Sequence, residues 1–203
     1  MDANIILLFY IVPLLFGTLL LTSFGSTIGA SLSANWPHLE STRRQRLLGL
    51  NVVLLVGFAI SVHTLWISNK ISEGGAVCSS ATVFSCDDVL GNIAYNTDPL
   101  FGQPWGIIGM LAFGVLMFLA NSISKEPDSL WAERYSKYGM YLTLLGLPVI
   151  GLLISYEVAM GKICQYCTTA HVANVIALFG FWTIGRMHEH GDWNDDSPNE
   201  TTV

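Results

Sequence analysis

The chain contains four cysteines, and they fall into two pairs. Cys164 and Cys167 form a Cys-Gln-Tyr-Cys motif, whereas Cys78 and Cys86 stand apart with seven residues between them. Paired thiols of this kind exchange disulfides, hold structural disulfides or ligate a metal. A Cys-X-X-Cys pair closes a very short loop and gains little chain entropy, so such pairs are more often reactive than structural. The spacing of Cys78 and Cys86 exceeds the about two to four residues usual between zinc ligands, and no metal site is expected.

The residues around each pair sharpen this. Ser85 is a candidate N-cap with Asp88 as its capping-box partner, which puts Cys86 in the first turn of a short helix. Cys86, Val89, Leu90 and Ile93 then share one face, turned towards the rest of the protein. A helix N-terminus lowers a thiol pKa, and Asp87 and Asp88 oppose it. Cys164, Cys167, His171 and Asn174 recur at i, i+3, i+7 and i+10, one stripe of one helix. A first-turn position and the nearby Lys162 favour the thiolate of Cys164, the form that exchanges disulfides. His171 lies one turn from Cys167, about 6 Å along the axis. There it could donate a hydrogen bond to an apolar molecule entering from lipid, such as a quinone carbonyl.

Those positions depend on a membrane. Apolar residues make up 52% of the 203 residues and charged residues 12%, against about 25% charged in soluble domains. Mean hydropathy is +0.51. Five apolar runs, 5–24, 47–67, 105–120, 138–160 and 163–184, approach or reach the roughly 20 residues needed to cross the hydrocarbon core. An all-α integral membrane protein with five transmembrane helices is predicted. No Lys or Arg precedes the first run, which argues against a signal peptide. The net charge of −6 comes from short segments, and nothing resembles a basic nucleic-acid patch. The expected surroundings are membrane lipid, with no nucleic-acid partner.

Lys and Arg are distributed asymmetrically. Arg43, Arg44, Arg46, Lys125, Arg134, Lys137 and Arg186 flank one side, and Lys70 and Lys162 the other. The positive-inside tendency then places the N-terminus and all four cysteines outside, where disulfides persist, and the C-terminal tail in the cytoplasm. The tail after Met187 is polar and is expected to be disordered. His63 and Glu157, near the outer ends of their helices, are given no role.

Taken together, these residues resemble the vitamin K epoxide reductase family in its prokaryotic form. The resemblance covers about 46–185. Its motifs are Cys78…Ser85-Cys86-Asp87-Asp88-Val89-Leu90, then Phe101-Gly102-Gln103-Pro104 with Gly109, and Cys164-Gln165-Tyr166-Cys167 with Thr168, Thr169 and His171. It implies that four of the five helices form a catalytic bundle around a quinone of the menaquinone, ubiquinone or vitamin K type. It further implies that Cys164 and Cys167 are the redox centre with Cys167 facing the quinone, and that Cys86 exchanges with Cys164. Cys78 then meets an outside thiol donor, and His171 bonds the quinone. The chain departs from the family pattern at Asn92, where Ser or Thr is frequent, and at Trp105-Gly106. Gln103 is left as the candidate for the second quinone contact.

The resemblance divides the chain into an additional N-terminal transmembrane helix with its cytoplasmic connection (1–45), the reductase-like domain (46–185) and a polar cytoplasmic tail (186–203). The thioredoxin-like domain fused to some bacterial members has no counterpart, so a separate thioredoxin-fold protein is implied as thiol donor. Bacterial disulfide-generating oxidases put the Cys-X-X-Cys pair in the first outer loop, the reverse of the order here. The alternative is a non-catalytic membrane protein with two structural disulfides.

Overall fold

Long apolar segments become helices because hydrocarbon offers no partner for backbone N–H and C=O groups, which then pair within their own segment. The computed structural model describes residues 3–32, 36, 39, 41–78 and 83–193. Helices α1 (Ala3–Leu21) and α2 (Ser23–Leu32) come first, followed by the long α3 (Thr42–Ser72). Two short helices, α4 (Cys86–Leu90) and α5 (Ile93–Asn96), lead into α6 (Trp105–Lys125), α7 (Ala132–Met160) and α8 (Gln165–His190). Beyond helices, the described residues contain two isolated bridges and no strand. Helices α3, α6, α7 and α8 are long and apolar enough to cross a membrane, and Ile5–Leu21 within α1 is a shorter apolar helix. The protein is an all-α integral membrane protein, with four long helices and a shorter one where the sequence marks five spans.

Helix α3 is the centre of the bundle. Half of its apolar window is buried, against 11% for α7, so α7 turns most of its surface outwards. Leu50, Val53, Leu54, Ile60 and Ile67 of α3 are fully enclosed. Small residues let the helices approach closely, as in membrane bundles generally. A Cβ on Gly49 would lie 2.6 Å from the Gly17 carbonyl oxygen, so α1 is pressed against α3 at that crossing. Asn174 of α8 donates to the Thr143 carbonyl of α7 at 3.0 Å, and Ser136 of α7 donates to the Phe181 carbonyl of α8 at 3.0 Å.

Two local expectations are corrected. Ile93 does not share the buried face of Cys86, Val89 and Leu90; it is 80% exposed, because α4 stops at Leu90 and a new helix, capped by Asn92, starts in another direction. The chain also stays ordered past Met187. Helix α8 continues to His190, Gly191 turns it back at φ +81°, and Trp193 is buried. The Trp193 indole donates to the Pro127 carbonyl at 2.9 Å, and Arg43 donates to both the Trp193 carbonyl (3.1 Å) and Asp128 (2.8 Å). One indole over a guanidinium, with the His188 ring stacked on it at 3.8 Å, outweighs the polar composition. The expected tail beyond 193 lies outside the described residues.

Candidate active site

The backbone brings the two cysteine pairs together. The Ser85 N–H donates to the Ile163 carbonyl at 3.1 Å, and the Ile163 N–H donates to the Val83 carbonyl at 2.9 Å. This short parallel bridge holds the residues that precede Cys86 and Cys164 side by side. Ser85 caps α4 by accepting the Asp88 N–H at 3.2 Å, as its sequence predicts. Asp88 in turn pairs with Lys162 at 3.1 Å, so this lysine ties α4 to the turn before α8. The hydrogen bond with Ser85, and then that ion pair, hold the Asp88 carboxyl below the usual carboxylate range. Asp87 accepts the backbone N–H groups of Val77 and Cys78 at 3.0–3.3 Å and so fixes the first loop cysteine.

Cys164 is the N-cap of α8 rather than a first-turn residue, and it is disulfide-bonded to Cys167, with the two Cα atoms 5.2 Å apart. Its backbone N–H donates to the Glu157 carboxylate at 3.0 Å. Cys78 and Cys86 are not disulfide-bonded, are both buried, and are hydrogen-bonded to each other. The backbone N–H groups of Tyr166 and Gln165, open donors of the first turn of α8, lie near the Cys86 sulfur and favour its thiolate. The hydrogen bond from Cys78, followed by those two N–H groups, lowers the Cys86 thiol pKa against the opposing effect of burial. The same hydrogen bond to Cys86, then burial, pushes the Cys78 thiol far above the ordinary thiol range. Within the pair, Cys86 is the thiolate-favouring member, and its chain neighbours bridge to the residue before Cys164.

Below this disulfide lies a cavity of about 190 Å³ between α3, α6, α7 and α8. Its walls are mostly apolar, and Cys167, His171 and Asn174 line it. The volume exceeds the roughly 150 Å³ that encloses a single six-membered ring. His171 has no hydrogen-bond partner among the described residues, so a backbone carbonyl does not satisfy it. A cavity with mostly apolar walls and one unengaged ring donor fits a quinone headgroup. Tyr95, Asn96 and Trp105 line the side formed by the loop and α6. The Asn96 amide donates to the Leu90 carbonyl at 2.7 Å and to Ser68 at 2.9 Å, which secures the end of α4.

Of the sequence-derived site residues, the structure gathers Cys78, Cys86 and Cys164 above the cavity and Cys167 and His171 on its wall. Gln103 is not among them: it is exposed in a tight loop whose backbone Asp98 fixes by accepting the N–H groups of Leu100, Phe101 and Gln103 at 2.8–3.0 Å. Glu157 and His63, given no role from sequence, reach the Cys-Gln-Tyr-Cys motif, Glu157 at the Cys164 N–H and His63 at the Tyr166 ring. A carboxylate seven residues before Cys164, in the last turn of an apolar helix, was the signal for the first. For His63 the sequence holds no comparable signal, because Tyr10 and Tyr166 lie on other helices.

Two cysteine pairs brought to one end of a helical membrane bundle by the bridge between residues 84 and 163 suit a membrane thiol oxidoreductase. The family model for the vitamin K epoxide reductase family matches residues 48–182, and the chain belongs to that family. No significant match was found among curated proteins or among solved structures.

Proposed function

We propose that the protein carries electrons from the thiols of a separate thioredoxin-fold protein, through Cys78 and Cys86, to Cys164 and Cys167 and on to a membrane quinone, so supporting disulfide formation outside the cell. The observation that carries this reading is the Cys86 sulfur held by the first-turn N–H groups of α8, beside the Cys164–Cys167 disulfide. The exchange balances as follows. A partner dithiol reduces the Cys78–Cys86 disulfide and leaves as a disulfide. The Cys86 thiolate attacks the Cys164 sulfur, a Cys86–Cys164 bond forms, and Cys167 departs as thiolate. Cys78 then attacks Cys86, re-forming the loop disulfide and freeing Cys164. The resulting dithiol holds two electrons, with Cys167 on the cavity wall.

A quinone bound there supplies the two-electron, two-proton sink. His171 would hold its oxygen by a ring N–H, and the apolar wall would exclude water. The family membership supports the quinone, and the Lys and Arg asymmetry supports the sidedness. In this reading residues 46–185 form the reductase-like domain, 1–45 an additional N-terminal transmembrane helix with its cytoplasmic connection, and 186–203 a polar cytoplasmic tail.

The test is quinone reduction by the purified protein with a reduced thioredoxin-fold donor. Wild-type protein turns over, and Cys164→Ala and Cys167→Ala lose turnover with every donor. Near-normal turnover in Cys167→Ala overturns the assignment.

A further inference from the structure

Residues before 48 fall outside the family match, yet α1 reaches the redox site. At the Gly17–Gly49 crossing α1 packs tightly on α3, and two turns towards the cysteine end Tyr10 meets His63. The Tyr10 hydroxyl lies 3.0 Å from His63 Nδ1. The His63 ring packs on Tyr166 with centroids 4.8 Å apart, and Tyr10 meets Tyr166 edge-on at 6.2 Å. Tyr166 is 2% exposed. It is the second of the two residues between the cysteines of the Cys-Gln-Tyr-Cys motif, just before Cys167, and its backbone N–H faces the Cys86 sulfur. Three aromatic rings from α1, α3 and α8 therefore converge on the peptide that supports the attacking thiolate.

We infer that Tyr10 is a positioning residue for the thiol relay: its hydrogen bond to His63 fixes the ring against which Tyr166 is held, and so aims the Tyr166 N–H at Cys86. This rests on the Cys86-to-Cys164 exchange proposed above. The physical basis is direct. A lone histidine ring in apolar surroundings can turn about its χ2, and a hydrogen bond to one ring nitrogen selects one orientation. A ring held in place confines Tyr166, and an N–H···S interaction depends on its geometry. The cavity residues of α3, Ser61 and Thr64, lie on another face of the helix. The effect therefore falls on the cysteine exchange and spares the quinone.

The experiment uses the full chain carrying Cys78→Ala, in which Cys86 can attack the Cys164–Cys167 disulfide and the mixed disulfide is not resolved by Cys78. The initial rate of mixed-disulfide formation is followed across pH. Adding Tyr10→Phe removes one hydroxyl and keeps the ring. The expected result is a rate lower by about three- to tenfold near neutral pH, the net effect of one hydrogen bond. The midpoint of the pH profile moves upwards, and quinone affinity is unchanged. His63→Phe, which keeps a ring against Tyr166 and removes the acceptor, matches Tyr10→Phe. An unmoved midpoint in Tyr10→Phe overturns the inference, whether the rate is unchanged or falls together with thermal stability and quinone affinity. Absence of any exchange in the Cys78→Ala parent instead overturns the relay itself.

Discussion

The Glu157 carboxylate accepts the backbone N–H of Cys164 at 3.0 Å. These residues flank the turn from α7 to α8, which reverses at Gly161 with φ +61°. The N–H of an N-cap residue has no partner within its own helix, and this one is buried with the cysteine. Glu157 thus locks the position of the redox disulfide from the neighbouring helix, while the bridge between Val83, Ser85 and Ile163 locks Cys86 opposite it.

Removing that acceptor should be felt both in stability and in rate. Glu157→Gln keeps an acceptor oxygen and is expected to stay close to wild type. Glu157→Leu leaves the Cys164 N–H buried and unpaired, a loss of about 1–3 kcal/mol. Thermal unfolding in detergent and donor-driven quinone reduction measure the two effects, and a fully stable, fully active Glu157→Leu protein excludes the role.

The loop pair should be needed only for large donors. Cys78→Ala or Cys86→Ala is expected to stop electron flow from a thioredoxin-fold protein, while a small dithiol that reaches Cys164 directly still drives quinone reduction. Parallel assays with the two donors read this out. Equal loss with both would mark Cys78 and Cys86 as structural.

The two loop thiols should also titrate apart. Cys86 is lowered by the hydrogen bond from Cys78 and by the α8 N–H groups, and Cys78 is raised by the same bond. With Cys164–Cys167 oxidised, thiolate absorbance should therefore appear first below the free-thiol value of about 8.5, as Cys86 ionises. No second step should follow in the range where an ordinary thiol ionises. The stability contribution from Cys86 has the matching sign: it is present above the unfolded pKa and is lost as pH falls through the lower folded value. Two equal steps near the free-thiol value would contradict the hydrogen-bonded pair.

The C-terminal anchor makes a contrasting prediction. Trp193→Ala removes the indole from Pro127, Arg43 and His188. It should destabilise the protein by about 3 kcal/mol, in the range for a buried tryptophan, and leave thiol exchange at the other end unchanged. Thermal unfolding beside the exchange assay tests it; a normal melting temperature would show that the anchor contributes little.

These cases show which parts of the fold were legible. The Cys-Gln-Tyr-Cys motif, the Ser85 cap and the stripe of Cys167, His171 and Asn174 are local periodic patterns, and the structure contains each of them. Composition places Trp193 in the polar tail because it averages over neighbours and misses one side chain that folds back onto Arg43. Ile93 falls on another face because helical spacing does not continue across Gly91, where α4 ends. Position in a motif makes Gln103 a candidate, whereas the loop that Asp98 holds leaves it exposed and outside the cavity lining. The bonds of Glu157 and His63 join residues on different helices or turns, and no single-helix pattern contains them.

His171 offers the sharpest test of the cavity. It stands at i+4 from Cys167 on the cavity wall and lacks a hydrogen-bond partner among the described residues. In a site with mostly apolar walls, an unmade hydrogen bond to a bound quinone oxygen costs about 1–3 kcal/mol. His171→Phe keeps an aromatic ring and removes the donor. Quinone affinity is expected to fall by about ten- to a hundredfold, while Cys86 and Cys164 still exchange, because their contacts lie above the cavity at the N-terminus of α8. A purely structural histidine behaves differently: its loss destabilises the bundle and lowers quinone binding and exchange together. Quinone titration, thermal unfolding and Cys86–Cys164 trapping in the same variant separate the two. Unchanged quinone affinity in a folded His171→Phe protein removes His171 from the site and leaves the cysteine relay standing alone.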